Sequence, residues 1–331
     1  PWKHLLTYLD AIMRVYNRFG RRDNKYKARI KILVKAIGAD AFREKVEAEW
    51  QHDKDGPATL TEEEVSRCKS FFTDPAYEEL DDNDAEVASA AGKDVLFSHW
   101  IERSVIEHKT PGYRIVNLCI KETGVAPGDL TDAQMDFVAD LADKFSFGEL
   151  RVTHEQNLVL TDVRLKDLYE LFQACKQESL ATPYLGLLND IVCCPGGDFC
   201  SLANAKSIPI AESIQRRFED FQRQMDIGDI TLNISGCMNA CGHHHVGNIG
   251  ILGVDKKGAE FYQVSLGGSA DRETAIGKVL GPSFAQDDMP DVIDKIIDVY
   301  LNNREDGENF LNTYNRIGIE PYKESVYANA D

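Results

Sequence analysis

The sequence predicts an α+β protein built from more than one domain, and three observations predict this class. Residues 99–182 show the patterns of a strand, a helix, two strands and a second helix in succession. Residues 183–331 contain short strands that run into cysteine and glycine clusters, and amphipathic helices lie at both ends of the chain. Such an order of elements is typical of α+β folds. The chain has 331 residues, and single cores rarely grow past roughly 250–300 residues, so two or more domains are expected.

The first elements are predicted to be helices with a concentrated positive charge. Residues 2–16 have an amphipathic helical pattern, and residues 26–50 predict two short helices separated by Gly38. The whole chain has a net charge of −18, yet residues 1–35 hold ten Lys or Arg against two Asp. An acidic chain repels a polyanion, so the patch favours a small anion or an acidic protein over nucleic acid. The patch comprises nine of these ten cations, all except Lys3, namely Arg14, Arg18, Arg21, Arg22, Lys25, Lys27, Arg29, Lys31 and Lys35.

The next segment, residues 53–98, is predicted to be an acidic linker. It contains Pro57 and Pro75, is rich in Asp and Glu, and shows little sustained periodicity. The chain also begins at Pro1 directly before a helical pattern, which indicates that it starts inside a domain. Residues 1–52 are therefore expected to be the end of that domain.

An α+β unit is predicted for residues 99–182. The pattern indicates a strand at 112–120, and Thr131 with Gln134 has capping-box spacing before a helix that reaches residue 145. Short strands at 149–153 and 157–160 and a helix at 165–175 follow.

Residues 183–331 are predicted to form a second, mixed α/β unit. A strand at 190–192 runs into the cysteines, and a helix is predicted for 203–224. The later elements are strands at 229–234, 247–254 and 260–266 and helices at 292–301 and 309–317.

Two cysteine pairs in this second unit predict a metal site. The pairs are Cys194 with Cys200 and Cys237 with Cys241, and each follows a strand and lies among glycines. Thiolates are soft ligands that select zinc, copper(I) or iron-sulfur clusters. The spacings CxxxxxC and CxxxC differ from the CxxC pairs typical of zinc, so an iron-sulfur cluster is favoured and zinc remains the alternative. The isolated cysteines Cys68, Cys119 and Cys175 are expected to be small buried hydrophobes, and Cys193 a buried neighbour of the site.

Longer strings around these cysteines resemble the siroheme-containing sulfite and nitrite reductase hemoprotein family. The strings are Asn233-Ile-Ser-Gly-Cys-Met-Asn-Ala-Cys-Gly242 and Arg151-Val-Thr-His-Glu-Gln-Asn157. The resemblance implies a 4Fe-4S cluster on Cys194, Cys200, Cys237 and Cys241, with Cys241 shared between cluster and siroheme. It also implies that Asn239, Arg151, Gln156 and Asn157 belong to the cofactor site.

The resemblance extends to the basic segment and to the domain plan. Lys27-Ala-Arg-Ile-Lys31 looks like the family's pair of substrate-facing cations, which places Arg29 and Lys31 as catalytic candidates. The alternative is that both are ordinary surface cations. The match runs along the later part of the family, so residues 1–52 would end a first siroheme-type domain. Residues 99–182 would then be a ferredoxin-like half-domain, and residues 183–331 the siroheme and 4Fe-4S domain.

The function implied by the resemblance is the six-electron reduction of sulfite to sulfide. Reduction of nitrite to ammonia is the alternative within the family, and a zinc-stapled binding module without redox chemistry is the alternative outside it. No flavin or nicotinamide motif is visible, so ferredoxin or a flavoprotein reductase is the expected electron donor, and a small oxyanion the expected substrate. No apolar run approaches the roughly 20 residues of a membrane helix, so no membrane partner and a cytoplasmic location are expected.

Overall fold

The chain folds into two compact units, Pro1–Tyr77 and Glu78–Asp331. The computed structural model describes residues 1–24 and 26–328. Lys25 of the predicted basic patch and residues 329–331 of the last predicted domain therefore lie outside the described residues. No helix within the described residues has both the length and the apolar character that a membrane span requires.

The first unit is helical. Its helices are α1 (Leu5–Phe19), α2 (Ile30–Ile37), α3 (Ala39–Asp53) and α4 (Glu62–Lys69). Helices α1 and α3 pack around the buried side chains of Ala11, Val15 and Val46. Gly38 separates α2 from α3 and has a φ of +87°, a value that L side chains rarely adopt, so the predicted helix break is confirmed.

Residues 53–98 contain more helix than the predicted linker implied. Besides α4, the segment forms α5 (Ala85–Ala91) and the start of α6 (Val95–Ser104). Thr61, Asp84 and Asp94 cap these helices by accepting hydrogen bonds from backbone N–H groups of the first turn. The helices have only seven to ten residues each, so their periodicity is weak in the sequence. Cys68 lies on α4, which has no buried residue, so the expectation that Cys68 is buried was wrong, whereas Cys119 and Cys175 are buried as expected.

After α5 and α6, the second unit forms a four-stranded antiparallel sheet in the order β1-β2-β4-β3. Its strands are β1 (Val105–Glu107), β2 (Tyr113–Leu118), β3 (Leu150–Val152) and β4 (Leu158–Arg164), and its helices are α7 (Asp132–Phe145) and α8 (Leu168–Gln177). The capping box of Thr131 and Gln134 forms at the start of α7 as predicted. Phe97, Trp100 and Phe172 lie in the core of this sheet and its helices.

A five-stranded mixed sheet follows, in the order β5-β6-β7-β8-β9. Its strands are β5 (Val192–Cys193), β6 (Leu232–Ser235), β7 (Ile249–Lys256), β8 (Ala259–Leu266) and β9 (Lys278–Val279). The pairs β5–β6 and β6–β7 are parallel, whereas β7–β8 and β8–β9 are antiparallel. All four residues of β6 are buried, as expected for a central strand covered on both faces.

Five helices accompany the mixed sheet and complete its core. They are α9 (Ile208–Arg217), α10 (Phe221–Ile227), α11 (Met289–Asn303), α12 (Phe310–Ile317) and α13 (Glu320–Tyr327). The single helix predicted for 203–224 is therefore two shorter ones. Helix α9 ends at Arg217, and the next residue, Phe218, is buried in the core. Asp220 caps α10 by accepting from the N–H of Arg223.

Candidate metal centre

Two parallel strands place the cysteine loops at one edge of the mixed sheet. Cys194 directly follows β5, and Cys237 follows β6 after Gly236. The N–H of Cys194 donates to the carbonyl oxygen of Ile234 at 3.1 Å, and the N–H of Gly236 donates to Cys194 Sγ at 3.1 Å. The first thiol is therefore held against the start of the second loop, by a backbone N–H that would stabilise a thiolate.

The loop that carries Cys200 returns to the same point. The N–H groups of Asn204 and Ala205 both donate to the carbonyl oxygen of Gly236, at 2.8 and 3.1 Å. A Cβ atom at Gly236 would lie 2.7 Å from the carbonyl oxygen of Ala205, closer than side-chain carbons come to such atoms. Glycine is required at 236 because the two loops meet there backbone to backbone.

Cys241 lies in a turn with unusual backbone angles. Ala240 and His243 have φ values of +58° and +55°, in the left-handed region that non-glycine residues rarely occupy. Between them, Gly242 donates its N–H to Ser235 Oγ at 3.1 Å and accepts from Asn233 Nδ2 at 2.9 Å. Two polar side chains of β6 thus hold the Cys241 turn in these unfavourable backbone angles. Backbone strain of this kind is typical of functional sites.

The exposure of the four thiols differs along the loops. Cys237 is buried, Cys194 and Cys200 are half-buried, and Cys241 is exposed. In residues 1–24 and 26–328, no three His, Cys, Asp or Glu side chains are grouped so that they could hold one metal ion. Four thiols on two joined loops, one already accepting a backbone N–H, fit the ligand set of an iron-sulfur cluster. The exposed Cys241 leaves one corner of such a site open to a second group.

The three histidines after Cys241 differ in burial. His244 is buried, and its Nδ1 has no hydrogen-bond partner among the described residues. Burial lowers the pKa of His244 to about 4, so its ring is neutral near pH 7. The ring contacts that of His245 in a tilted arrangement, with 3.9 Å between centroids. His243 and His245 are exposed. Among the residues that the structure describes, none of the three rings belongs to a group of side chains that could hold a metal ion.

The sequence string at 151–157 reaches the first cysteine pair through Gln156. The Gln156 side-chain amide donates from Nε2 to the carbonyl oxygen of Cys193 and accepts at Oε1 from the N–H of Cys193, both at 2.8 Å. Gln156 itself has a φ of +62°. The structure therefore places Gln156 beside the residue that precedes Cys194, where it binds protein backbone.

The other residues of that string have protein partners as well. Asn157 is buried, donates from Nδ2 to Asp190 Oδ1 at 3.0 Å and accepts at Oδ1 from the N–H of Ile120 at 3.0 Å. Arg151 is exposed and donates from Nε to Glu149 Oε1 at 2.6 Å. A cleft of about 450 Å³ lies beside this turn and is lined by Leu150, Val152 and Leu158 among others. Cofactor contacts of Arg151, Gln156 and Asn157 stay predictions.

The remaining predicted site residues are exposed. Asn239 lies in the turn between Cys237 and Cys241. Arg29 is the residue before α2, and Lys31 lies in the first turn of that helix, which contains no acidic residue. Cations at a helix N-terminus oppose the helix dipole, so this arrangement is locally unfavourable. Within the described residues, neither Arg29 nor Lys31 forms an ion pair.

Sequence reasoning missed a buried pair of charges behind the turn. Lys121 is fully buried, and its Nζ lies 3.8 Å from Asp190 Oδ1. Lysine is almost never fully buried without a partner. The residues around Lys121 in the sequence do not distinguish it from an ordinary surface lysine that follows a strand, so its burial could not be predicted. Asp190 precedes the strand that leads to Cys194, and only the fold brings it to Lys121.

The fold and the two loops define a metalloprotein class, in which four thiols lie at the edge of a mixed sheet beside a ferredoxin-like α+β unit. The comparisons with known proteins agree. The family model described as the nitrite and sulphite reductase 4Fe-4S domain matches residues 1–54 and 187–330, and the ferredoxin-like half domain of nitrite/sulfite reductases matches residues 107–178. The chain belongs to the nitrite and sulphite reductase family, which confirms the resemblance and the predicted fold class.

Individual relatives are similar at a lower level. Sulfite reductase (ferredoxin) 2 of Mycolicibacterium paratuberculosis is 28% identical over 312 residues, which cover 91% of this chain and 49% of the relative. A chloroplastic ferredoxin–nitrite reductase of Zea mays is 27% identical over 303 residues, which cover 87% of this chain and 46% of the relative. The structure of the Mycobacterium tuberculosis NirA protein has a TM-score of 0.64 at 24% identity and covers 95% of this chain and 52% of that one. The chain therefore spans about half the length of the relatives it matches.

Proposed function

We propose that this chain is part of an enzyme that reduces sulfite to sulfide with six electrons, at a siroheme coupled to a 4Fe-4S cluster. The observation that carries the proposal is the joined pair of cysteine loops, in a chain whose family is described by its 4Fe-4S domain. Two curated relatives from different mycobacterial species are named as ferredoxin-dependent sulfite reductases. The limits of the domains, 1–52, 53–98, 99–182 and 183–331, remain part of this proposal.

Cys194, Cys200, Cys237 and Cys241 would hold the cluster, and siroheme would share Cys241. When bound, these groups would supply the electron transfer that the reduction of an oxyanion requires. The protein contributes the geometry, because the N–H of Gly236 stabilises the Cys194 thiolate and Ser235 with Asn233 hold the turn of Cys241. Cys241 is exposed, as a thiol shared with a second cofactor must be before that cofactor binds.

Arg29 and Lys31 would bind the substrate oxyanion in this proposal. Fixed cations stabilise the negative charge that an oxyanion gains during reduction. Both side chains are exposed at the start of α2, where the free N–H groups of the helix also favour an anion. The cofactors would be surrounded by Asn239, Arg151, Gln156 and Asn157. Each of these residues would contact a cofactor directly or, as Gln156 does, bind the backbone next to a ligand.

Ferredoxin is the electron donor that the names of the relatives favour over a flavoprotein reductase. Ferredoxins are acidic, and the basic segment before α2 would attract them. A cytoplasmic location accompanies this proposal.

Nitrite is the second candidate substrate, because several relatives are named ferredoxin–nitrite reductases, at identities of 24–27%.

The proposal is tested by analysing the full-length protein purified without oxygen. About five iron atoms for every four acid-labile sulfide ions are expected, four from the cluster and one from the siroheme, together with a siroheme absorption spectrum. A colourless protein with one zinc would refute the redox function. Turnover of sulfite and nitrite with reduced methyl viologen then compares the substrates, and a clear preference for nitrite would replace sulfite.

One variant pair tests the role of Cys241 in that proposal. Cys241→Ser is expected to disturb both cofactors, whereas Cys68→Ser, at another exposed cysteine far along the chain, should leave both spectra unchanged. An unchanged siroheme spectrum in Cys241→Ser would show that this thiol is not shared.

A further inference from the structure

A buried lysine lies behind the turn formed by residues 153–157. Lys121 is 0% exposed, and its Nζ donates to the carbonyl oxygens of Glu155 at 2.7 Å and Gln156 at 2.9 Å. Its third neighbour is Asp190 Oδ1 at 3.8 Å. Burial lowers the pKa of Lys121, and the nearby Asp190 carboxylate opposes that change. The strong hydrogen bonds of this ammonium therefore go to backbone carbonyls, with Asp190 as a more distant counter-charge.

The two carbonyls belong to the strained part of the turn. Gln156 has a φ of +62°, a conformation that costs a non-glycine residue of order 1 kcal/mol or more. Two further contacts hold the turn. The N–H of Asn157 donates to Thr153 Oγ1 at 3.2 Å. Gly128 packs against Gln156 so closely that a Cβ atom at 128 would lie 2.9 Å from the Cβ of Gln156. A left-handed Gln156 persists because such contacts outweigh its intrinsic cost, and Lys121 binds the carbonyl of that residue directly.

The shape of the turn decides where the Gln156 side chain points. In this conformation its amide binds both the N–H and the carbonyl of Cys193, which is 4% exposed. The next residue is Cys194, whose own N–H is bound to Ile234. A continuous set of hydrogen bonds therefore runs from Lys121 through Gln156 to the backbone that carries the first cysteine of the site.

We propose that Lys121 is a positioning residue for the metal centre: its ammonium holds the 153–157 turn in the conformation from which Gln156 fixes the Cys193–Cys194 segment. The inference rests on the proposed function only for the identity of the bound group, because the contacts themselves involve protein atoms alone. Residues that orient metal ligands from outside the coordination sphere commonly change metal affinity by roughly 10–100-fold when they are substituted.

A simpler role would make Lys121 only the counter-charge of Asp190. The two roles separate in a set of three variants: Lys121→Met, Asp190→Asn and the double variant. Removing one member of a buried ion pair leaves the other uncompensated, whereas removing both restores neutrality. The double variant therefore regains charge balance and still lacks the ammonium that binds the turn. Lys144→Met, at an exposed lysine paired with Glu170, is the matched control.

Two measurements on the full-length protein separate these roles. The first is hydrogen exchange of the backbone segment that contains the Cys193 N–H, in metal-free and in loaded protein. The second is the rate at which a ferrous-iron chelator removes iron from loaded protein. We expect both rates to rise about tenfold or more in Lys121→Met and to remain raised in the double variant, while Lys144→Met matches the unmodified protein.

Recovery of both rates to the unmodified values in the double variant would overturn the proposal, because Lys121 would then act only on Asp190. Unchanged exchange and iron release in Lys121→Met would overturn it as well. Absence of iron from the unmodified protein would instead refute the proposed function, and the exchange of the Cys193 N–H in metal-free protein would still decide the role of Lys121.

Discussion

The side-chain amide of Gln156 pairs with the backbone of Cys193 as a neighbouring strand would. Its two hydrogen bonds, both 2.8 Å, satisfy the N–H and the carbonyl of a residue in β5, which is the edge strand of the mixed sheet. An edge strand presents unpaired backbone groups, and here one side chain from the ferredoxin-like unit satisfies them. The contact joins the two sheets one residue before a proposed cluster ligand.

Gln156→Leu should destabilise the protein and weaken the metal centre together. Leucine fills a similar volume but leaves the buried N–H and carbonyl of Cys193 without partners, at a cost of about 1–3 kcal/mol. Chemical denaturation measures that loss, and iron content after gel filtration measures the second effect. Gln222→Leu, at an exposed glutamine on α10, should change neither quantity by much. A Gln156→Leu protein with normal stability and iron content would show that the contact is dispensable.

Gly242→Ala should be among the most damaging small substitutions in the chain. A Cβ atom at 242 would overlap the carbonyl oxygen of Ile234, and the backbone cannot move away because Ser235 and Asn233 both bind Gly242. We expect a loss of more than about 2 kcal/mol in unfolding free energy, together with loss of iron. Gly92→Ala is the control, because Gly92 has a φ of −68° and a Cβ there makes only ordinary contacts. Equal stability of the two variants would contradict this account of the turn.

The sequence was sufficient to predict the strand that leads to Cys237, because Ile230, Leu232 and Ile234 alternate with polar residues before Gly236, which is the pattern of a strand. It was also sufficient for the capping box of Thr131, a local pattern within four residues. The contact between Gln156 and Cys193 could not be predicted, since it joins residues 37 positions apart through a side chain in a left-handed turn. The burial of Lys121 was hidden for the same reason.

Helix α1 shows a second limit of sequence patterns. Leu5, Leu9 and Met13 follow helical spacing, which predicts a buried face, yet they are 56%, 49% and 50% exposed. In α11, Met289, Ile293 and Ile297 have the same four-residue spacing and are fully buried under the mixed sheet's core. Periodicity predicts that one face of a helix is apolar, but whether that face is buried depends on other elements that pack against it.

Acid should weaken the C-terminal helices through Glu308. Its carboxylate accepts from Arg316 Nε at 2.7 Å, from Thr313 Oγ1 at 2.9 Å and, at the same oxygen, from the N–H of Glu305 at 3.1 Å, and these contacts hold its pKa at about 2. Because the folded pKa lies below the ordinary value of 4.5, the carboxylate stabilises the fold fully above pH 4.5. That contribution is lost as the pH falls towards 2.

Glu308→Gln tests this acid dependence. The variant should be less stable than the unmodified protein near pH 7, and the difference between the two should shrink steadily between pH 4.5 and 2. Thermal unfolding across that pH range measures the difference, and added salt should reduce it because the group lies near solvent. A difference that stays constant down to pH 2 would show that the charge of Glu308 is not the cause.

Replacing Arg29 and Lys31 should move stability and activity in opposite directions. Both cations lie at the N-terminus of α2, where they oppose the helix dipole, so Arg29→Gln with Lys31→Gln should stabilise this unit by about 0.3–1 kcal/mol per residue. If the same cations bind the oxyanion, the double variant should raise KM for sulfite about tenfold or more and leave the absorption spectrum unchanged. Lys35→Gln, in the last turn of α2, removes a cation that the dipole favours, so it should lower stability slightly without changing KM. A double variant that is more stable and equally active would identify Arg29 and Lys31 as surface cations. Higher stability together with a raised KM would show that the two cations lower stability and are kept for substrate binding, as is common at functional sites.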